Sequence, residues 1–273
     1  MPTSIISTVP PPLITVTTDF GIRDHYVGVM KGVIGGIAPE ARVIDICHEI
    51  PAYNIAEGAF TIVQSYRWFP ARTIHVVVVD PGVGSSRRPI VAAAGGHVFV
   101  APDNGVLSQV FERTTPSVYC VDIERYALKP TSQTFHGRDI FAPIAAHLAN
   151  GVAPSETGTP ITDFTQLEPT APIQQTPGIW NGRVLHIDQF GNVVTSFPIS
   201  FLDKSKKKFQ LKIGNLEITQ SAISYADAPP AEAFVIAGSS GYVEVSINQA
   251  SAAARAGVTT GAPVEWWESE AHL

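Results

Sequence analysis

The chain has 273 residues, a length that suits one large domain or two modest ones. Its formal charge is −6 and it has no basic stripe with which to neutralise phosphates, so nothing in the sequence indicates nucleic-acid binding. Charged residues make up only 15% of the chain, against roughly 25% in ordinary soluble domains. We therefore expect contacts between subunits to cover part of the surface.

The cysteine content and the N-terminal residues favour a cytoplasmic protein. Cys47 and Cys120 give neither a disulfide framework nor metal-ligand spacing, so both thiols are expected to be reduced. Residues 1–16 lack the basic start of a secretory signal and contain a run of three prolines. No apolar run approaches the roughly 18 residues that are needed to cross a bilayer.

Strands and helices alternate over the first part of the chain. Strands are predicted at residues 13–18, 42–46, 73–79, 90–94, 97–100 and 117–122. Helices are predicted at residues 25–37, 56–68, 105–112 and 139–150. The uninterrupted apolar run 73–79 is typical of a strand covered on both faces. This order predicts an α/β layered domain with a mostly parallel sheet.

The composition changes after about residue 154. Residues 154–177 contain five prolines among threonines and glutamines, which is typical of a linker. From residue 182 the pattern becomes short strands, at 184–187, 193–197, 209–213, 233–237 and 243–247, and predicts a small β-barrel or sandwich. The predicted domains are therefore 1–175, with the linker at its end, and 176–273. The lysine-rich run 204–208 is interpreted as a solvated turn.

Polar residues cluster where ligands bind in open α/β sheets, at the carboxyl ends of the strands. Asp19 and Asp24 follow the first strand, Asp80 and Arg87 follow the strand at 73–79, and His136 precedes the last helix of the domain. Each residue also has a structural interpretation: the aspartates can serve turns or a helix cap, and His136 can bond to a backbone carbonyl. Local sequence leaves both interpretations open.

Turns of the second part hold a second group of candidates. They are the acid Asp188, the aromatic residues Phe190 and Tyr225, the amide Asn192, and the serines Ser239 and Ser240. Hydroxyl and backbone N–H groups at a glycine-bearing turn suit a carboxylate. Together the residues offer the stacking and polar recognition that a small heteroaromatic ligand needs.

Seven segments carry a resemblance to a known family. In chain order they are TTDFGIRDHYVGVMKG, DICHEIPAYNIAEGA, VVVDPGVGSSRRPI, APDNGVLS, FHGRDIFAPIAAHLA, DQFGNVVTSF and GSSGYVEVSINQASAA. In them the chain resembles the S-adenosyl-L-methionine (SAM) hydroxide adenosyltransferases, SAM hydrolases related to the fluorinases and chlorinases. The resemblance implies an α/β domain followed by a small β-barrel. It also implies a homotrimer with active sites between one subunit's first domain and a neighbour's second.

The resemblance also implies residue roles. The catalytic set around the attacking water would be Asp80, Arg87 and His136. The substrate-binding set would be Asp19 at the ribose, Asp24 and Asp188 at the methionine ammonium, Phe190, Tyr225 and Asn192 at adenine, Ser239 and Ser240 at the methionine carboxylate, and Tyr53 and Phe135 against the ligand. Ser240 departs from the halogenating relatives, which have arginine there, so carboxylate binding is expected to use hydroxyl and N–H groups.

The implied reaction converts SAM and water into adenosine and L-methionine through attack at the ribose C5′. SAM is then a substrate and no cofactor is expected, because the sulfonium leaves as a neutral thioether. Asp80 or His136 can accept the proton of the water, whereas Arg87 stays protonated. Fluorinases have tyrosine in place of Asp80 and serine in place of Gly137, and both differences favour water over a halide.

Two other functions are weighed beside hydrolysis. A metal-dependent hydrolase would use acids and histidines at the strand ends, namely Asp19, Asp24, His25, Asp80 and His136, although the chain contains no HExxH pattern. A non-catalytic sensor would bind SAM or adenosine without turnover. Hydrolysis without a metal is the favoured interpretation.

Overall fold

The chain forms two compact units, described by a computed structural model that covers residues 10–203 and 208–269. The division falls after Leu167, earlier than the boundary near residue 175 that composition indicates. Most of the lysine-rich run 204–208, interpreted above as a solvated turn, lies outside the described residues.

The first unit is built on a seven-stranded mixed sheet. Its strands are β1 (Leu13–Thr18), β2 (Arg42–Cys47), β3 (Ile74–Val78), β4 (Pro89–Ala94), β5 (His97–Pro102), β6 (Ser117–Val121) and β7 (Gly158–Ile161). They are ordered β2-β1-β3-β5-β4-β6-β7. The β1–β2, β1–β3 and β3–β5 pairs are parallel, and the other three are antiparallel. The predicted α/β class is confirmed.

Helices cover both faces of this sheet. They are α1 (Tyr26–Ile37), α2 (Ile55–Ser65), α3 (Ser108–Phe111), α4 (Ile123–Tyr126) and α5 (Ala142–Ala149), with 3-10 turns at Tyr66–Trp68 and Pro154–Glu156 and a π-helical turn at Gly137–Phe141. Side chains of β3 alternate between the two cores, Val76 and Val78 packing with α1 and α5, and Val77 with α2 and α3. β3 is therefore buried along its whole length, as its apolar sequence predicts.

The proline-rich segment is partly built into the first unit rather than being a linker throughout. β7 pairs antiparallel with β6, and a Cβ on Gly158 would lie 1.8 Å from the Cys120 carbonyl oxygen, so only glycine fits there. Farther along, the carboxylate and the carbonyl of Asp163 both accept hydrogen bonds from Arg88. A four-residue edge strand containing Pro160 has no alternating pattern, which explains why sequence alone suggests a linker.

The second unit is an antiparallel, nearly closed barrel, as predicted. Its strands are β8 (Ile173–Thr176), β9 (Ile179–Ile187), β10 (Val193–Pro198), β11 (Lys208–Ile213), β12 (Leu216–Ile218), β13 (Ala233–Ala237), β14 (Tyr242–Ile247) and β15 (Pro263–Ser269). Their order is β12-β11-β15-β9-β10-β14-β13, with β8 paired to β9, and β12 also contacts β13. Two short helices, α6 (Ser200–Asp203) and α7 (Ala252–Ala256), and a 3-10 turn at Tyr225–Asp227 lie between strands.

Candidate active site

The sheet register brings the polar strand ends of the first unit to one edge. Thr18 at the end of β1 pairs with Val78 at the end of β3, so Asp19 and Asp80 leave the sheet side by side. β4 runs antiparallel to β5, with Pro89 opposite Pro102. The chain between β3 and β4 therefore turns back to the same edge, carrying Arg87 with it.

Asp80, Arg87 and His136 form one buried hydrogen-bonded cluster. Arg87 Nε lies 3.0 Å from each Asp80 carboxylate oxygen, and Arg87 Nη2 lies 2.5 Å from Asp80 Oδ2. The same Nη2 donates to His136 Nδ1 at 2.6 Å. The Asp80 and Arg87 side chains are only 4% and 8% exposed, so solvent screens this ion pair weakly. The guanidinium thus spans both of its partners.

This contact fixes the protonation of His136. A guanidinium has donors and no acceptor, so His136 Nδ1 must be the unprotonated nitrogen. Burial lowers the pKa of His136, and the neighbouring Arg87 charge lowers it further, although Asp80 acts in the opposite direction. The ring is therefore neutral at pH 7.

Close packing of two loops holds this cluster. Gly84, in the turn between Asp80 and Arg87, has φ +78°. A Cβ on Gly84 would lie 2.4 Å from the carbonyl oxygen of Gln133, in the loop that leads to His136. Glycine is required both by the backbone conformation and by this approach.

Arg88, the neighbour of Arg87, has other partners. Its Nε and Nη2 donate to Asp103 Oδ2 at 2.9 and 2.6 Å, and its Nη1 donates to Asp163 Oδ1 at 2.9 Å. Arg88 therefore ties the end of β5 to the segment after β7. The two adjacent arginines therefore differ in role: Arg87 belongs to the cluster, whereas Arg88 connects two segments of the fold.

Asp19 lies close enough to Asp80 for the two charges to interact. Burial raises the pKa of Asp19, and the Asp80 charge contributes in the same direction. The Tyr53 N–H opposes this by donating to Asp19 Oδ2 at 2.8 Å. Tyr53 itself has φ +69°, a strained conformation for a non-glycine residue, and its side chain is exposed. The strained backbone thus aims an N–H group at Asp19.

His48, which the site prediction omitted, secures the loop that carries Asp19. Its carbonyl accepts the Gly21 N–H at 2.7 Å, and its Nδ1 lies 2.9 Å from Thr18 Oγ1. Its Nε2 lies 3.0 Å from Asp45 Oδ1, a distance typical of an ion pair but outside hydrogen-bond geometry. A histidine just after a predicted strand was the available signal.

Two other predicted residues of this unit differ in burial. Asp24 is exposed and does not cap α1, whose first turn has no side-chain hydrogen bond. Phe135 is 9% exposed and packs edge-on against Phe20 and Tyr26, with ring centroids 6.2 and 5.0 Å away. Phe135 thus lies directly beside His136 within an aromatic cluster.

The second unit has a cavity of about 660 Å³ lined by four of the predicted residues. These are Asp188, Phe190, Asn192 and Tyr225, and the other lining residues are Ile247, Asn248, Gln249, Ala250 and Ser251. Phe190 is 69% exposed, whereas Asn192 is 9% exposed. The cavity combines aromatic faces with amide groups, the surroundings that suit a heteroaromatic ligand.

Asp188 organises the turn at the mouth of this cavity. Its Oδ1 accepts from the Phe190 and Asn192 N–H groups, both at 2.9 Å, and its Oδ2 accepts from Asn192 Nδ2 at 2.9 Å. Gly191 within the turn has φ +84°, and a Cβ there would lie 2.1 Å from Ser251 Oγ. The acid therefore fixes the orientation of the Asn192 amide.

Glu244 is a buried acid that the sequence reasoning missed. It lies on β14 and is 8% exposed. Its Oε1 accepts from the Tyr225 hydroxyl at 2.6 Å and from Ser246 Oγ at 2.9 Å. Burial raises the pKa of Tyr225 to about 12, with a further contribution from the hydrogen bond to Glu244. A lone acid in the apolar run of β14 was the available signal.

Ser239 and Ser240 are not among the residues that line this cavity. They lie in the turn between β13 and β14, where Ser239 is exposed. The Ser240 hydroxyl is buried and has no hydrogen-bond partner in the described part of the chain. Such a group is available to a ligand.

Three general features complete the description. Over residues 10–203 and 208–269, no group of three or more acids, histidines or cysteines is arranged to hold a metal ion. In the same part of the chain, no helix is both long and apolar enough to span a membrane. Cys47 and Cys120 are free. That no cofactor is needed stays a prediction.

Both units match family models. Residues 14–158 match the SAM hydroxide adenosyltransferase N-terminal domain, and residues 182–265 match the SAM hydroxide adenosyltransferase C-terminal domain. Together these matches cover most of the chain.

Individual proteins give the same relationship. The chain is 34% identical to an (R)-S-adenosyl-L-methionine hydrolase of Salinispora tropica, over 92% of this chain and 96% of that protein. It is 26% identical to a fluorinase of an Actinoplanes species, over 87% and 88% of the two chains. A crystal structure of an uncharacterized conserved protein from Thermotoga maritima superimposes with a TM-score of 0.86 at 35% identity, over 93% and 99% of the two chains.

Proposed function

The chain belongs to the SAM hydroxide adenosyltransferase family and is a SAM hydrolase, and we propose that Asp80, Arg87 and His136 activate its water. The single observation that carries this assignment is the guanidinium of Arg87, which bridges the Asp80 carboxylate and His136 Nδ1 in a buried site. The name of the relative specifies the R epimer at sulfur, and we extend this preference to the present enzyme.

At the ribose C5′ the reaction forms one bond and breaks one. The water oxygen attacks the ribose C5′, the C5′–S bond breaks, and its electron pair stays on sulfur to give neutral methionine. One proton leaves the water. Because the leaving group needs no help, the enzyme must chiefly orient the water and accept this proton.

Asp80 is the proton acceptor in this proposal. Arg87 is always protonated, and His136 Nδ1 is already engaged as the acceptor of an Arg87 N–H. A carboxylate has about four lone-pair sites, so Asp80 can bind water while it is paired with Arg87. His136 then holds the guanidinium in place, and Arg87 stabilises the developing hydroxide.

The remaining residues bind the substrate in this proposal. Asp19 takes the ribose hydroxyls, with Tyr53 and Phe135 against the ligand and Asp24 and Asp188 near the ammonium. Asn192, Phe190 and Tyr225 bind adenine, which the shared cavity of the second unit supports. Ser239 and Ser240 take the carboxylate, which the unpaired Ser240 hydroxyl supports.

Water rather than a halide is the proposed nucleophile. The Asp80 carboxylate would repel an incoming anion in a buried site. A Cβ on Gly137 would lie 3.1–3.3 Å from Met30, Phe20 and Phe135, so this site has little room for the serine found in fluorinases. Incubation with SAM and chloride or fluoride, followed by chromatography, is expected to give adenosine and methionine. A dominant 5′-halo-5′-deoxyadenosine would contradict the proposal.

We further propose that the working enzyme is a cytoplasmic homotrimer that needs no cofactor. The low content of charged residues and the placement of catalytic and adenine-binding candidates in different units support sites shared between subunits. Light scattering on purified protein should give three times the chain mass. Activity that survives chelation distinguishes the proposal from a metal-dependent hydrolase, and turnover distinguishes it from a sensor.

A further inference from the structure

A small cavity beside the water-activating cluster has no assigned ligand. It measures about 290 Å³ and is lined by Phe20, Tyr26, Ser132, Thr134, Phe135 and Arg138. The three aromatic rings contact one another edge-on, with centroids 5.0–6.2 Å apart. No carboxylate lines this cavity, so a cation bound there would meet ring faces rather than an acid.

We propose that Phe20, Tyr26 and Phe135 bind the methylsulfonium group of the substrate through cation–π contacts. A sulfonium carries a full charge but has no N–H or O–H group, so it cannot donate such a hydrogen bond to an acceptor of the protein. Aromatic faces attract such cations and are used to bind quaternary ammonium groups. This inference rests on the proposed hydrolysis of SAM and assigns the part of the site that distinguishes a sulfonium from a thioether.

The position of the aromatic cluster agrees with the chemistry. The sulfonium is bonded directly to the carbon that water attacks, so its binding site must adjoin the water-activating cluster. Phe135 precedes His136 in the chain, and a Cβ on Gly137 would lie 3.2 Å from Phe20 Cε2 and 3.3 Å from Phe135 Cε2. The rings therefore border the loop that carries His136.

Arg138 does not oppose a cation in this cavity. Its side chain forms two hydrogen bonds to Asp139, at 2.6 and 2.9 Å, so its charge is compensated. Its guanidinium carbon lies 5.2 Å from the centroid of the Phe135 ring, which already makes one cation–π contact there. The Tyr26 side chain is 39% exposed and is accessible to a ligand.

The aromatic cluster should affect substrate binding more than the chemical step. The positive charge is present on the substrate and disappears as the C5′–S bond breaks. Cation–π contacts therefore stabilise bound SAM at least as well as the transition state. Their removal should raise KM without lowering kcat.

The experiment compares Tyr26→Leu and Phe20→Leu with the conservative control Tyr26→Phe. Three ligands separate the charges: SAM, its neutral thioether S-adenosyl-L-homocysteine, and decarboxylated SAM. In the leucine variants we expect the KM for SAM and the dissociation constant of decarboxylated SAM to rise about 5- to 30-fold, equivalent to about 1–2 kcal/mol. Inhibition by the thioether should stay within about two-fold in all variants, which also shows that they are folded.

Two outcomes would overturn this inference. A parallel loss for SAM and the thioether would make the rings an ordinary apolar wall. A loss of affinity that is seen with SAM but not with decarboxylated SAM would show that the cavity binds the methionine carboxylate, through Arg138. If the wild type binds SAM without hydrolysing it, calorimetry with the same ligands still tests the aromatic cluster, so failure of the proposed function remains distinguishable.

Discussion

The candidate site residues of the two units differ in how far they are exposed. In the first unit, Asp80, Arg87 and His136 are buried and bonded to one another. In the second, Phe190 and Tyr225 leave 69% and 47% of their surfaces exposed around an open cavity. In our proposal, the groups that act on charge are therefore held in place before the substrate arrives, whereas the two aromatic rings stay open to a base.

Exchanging an arginine for lysine in each of two neighbouring positions tests this comparison most strongly. Arg87→Lys replaces a planar fork by a point charge that does not bridge Asp80 and His136 in the same way. We expect kcat to fall roughly 10²- to 10³-fold, with adenosine affinity nearly unchanged. The matched control Arg88→Lys, outside the cluster, should keep kcat within a few-fold. Equal losses would remove the special role of Arg87.

Co-expression of two impaired variants tests whether the two regions act across subunits. Asp80→Asn should prevent the chemical step, and Asn192→Ala should weaken nucleoside binding. If a site combines two chains, co-expression of both variants should restore about a quarter of the sites, because each partner is intact half of the time. The separately purified variants, assayed alone, are the control. If the mixture is no more active than these, each chain builds its own site.

Ligand binding by the second unit can be weakened without altering the first unit. Tyr225→Phe removes the hydroxyl that donates to the buried Glu244 carboxylate. We expect adenosine to bind about 3- to 10-fold more weakly while kcat stays near the wild-type value, since the Tyr225 ring loses the hydrogen bond that orients it and a typical hydrogen bond contributes about 0.5–1.5 kcal/mol. Titration calorimetry and steady-state kinetics measure the two effects. A fall in kcat alone would indicate that Tyr225 takes part in the chemical step.

The smallest expected effect is a difference between the two units in their stability at acid pH. His75 lies in the first unit, bonded to Thr15 and His97, and burial followed by the His97 charge lowers its pKa to about 3. The unfolded chain takes up a proton below pH about 6.5 and the folded chain does not, so stability falls from pH 6.5 towards pH 3. Between pH 7 and 5.5 the loss should be about 1 kcal/mol.

Urea unfolding at the two pH values, followed by hydrogen exchange, measures this effect. His75→Gln should flatten the pH dependence, whereas His25→Gln, at an exposed position, should not. Exchange should accelerate in the first unit. An unchanged slope in His75→Gln would show that His75 does not cause the acid sensitivity.

The sequence predicted the fold where local patterns and tertiary contacts agree. β1 and β13 have the predicted bounds, because each is a short apolar run with which no other local signal competes. β7 was missed because pairing with β6, rather than its own composition, makes it a strand.

The candidate site also divides into features that the local sequence indicates and features that only tertiary contacts reveal. That Asp80 and Arg87 meet depends on the antiparallel return of β4, and the family resemblance, not local spacing, separates Arg87 from Arg88. Glu244 gave only a weak signal, a lone acid in the apolar run of β14, and its partners Tyr225 and Ser246 are visible only in the structure.

The closed ion pair of Asp80 and Arg87 has a consequence for product release. Because these two charges neutralise each other, the carboxylate of Asp19 is left to attract the substrate's net positive charge. Hydrolysis converts that charge into a departing proton, and both adenosine and methionine are electrically neutral overall. The enzyme therefore loses its electrostatic hold on the products in the step that makes them, so added salt should weaken capture of SAM far more than retention of adenosine.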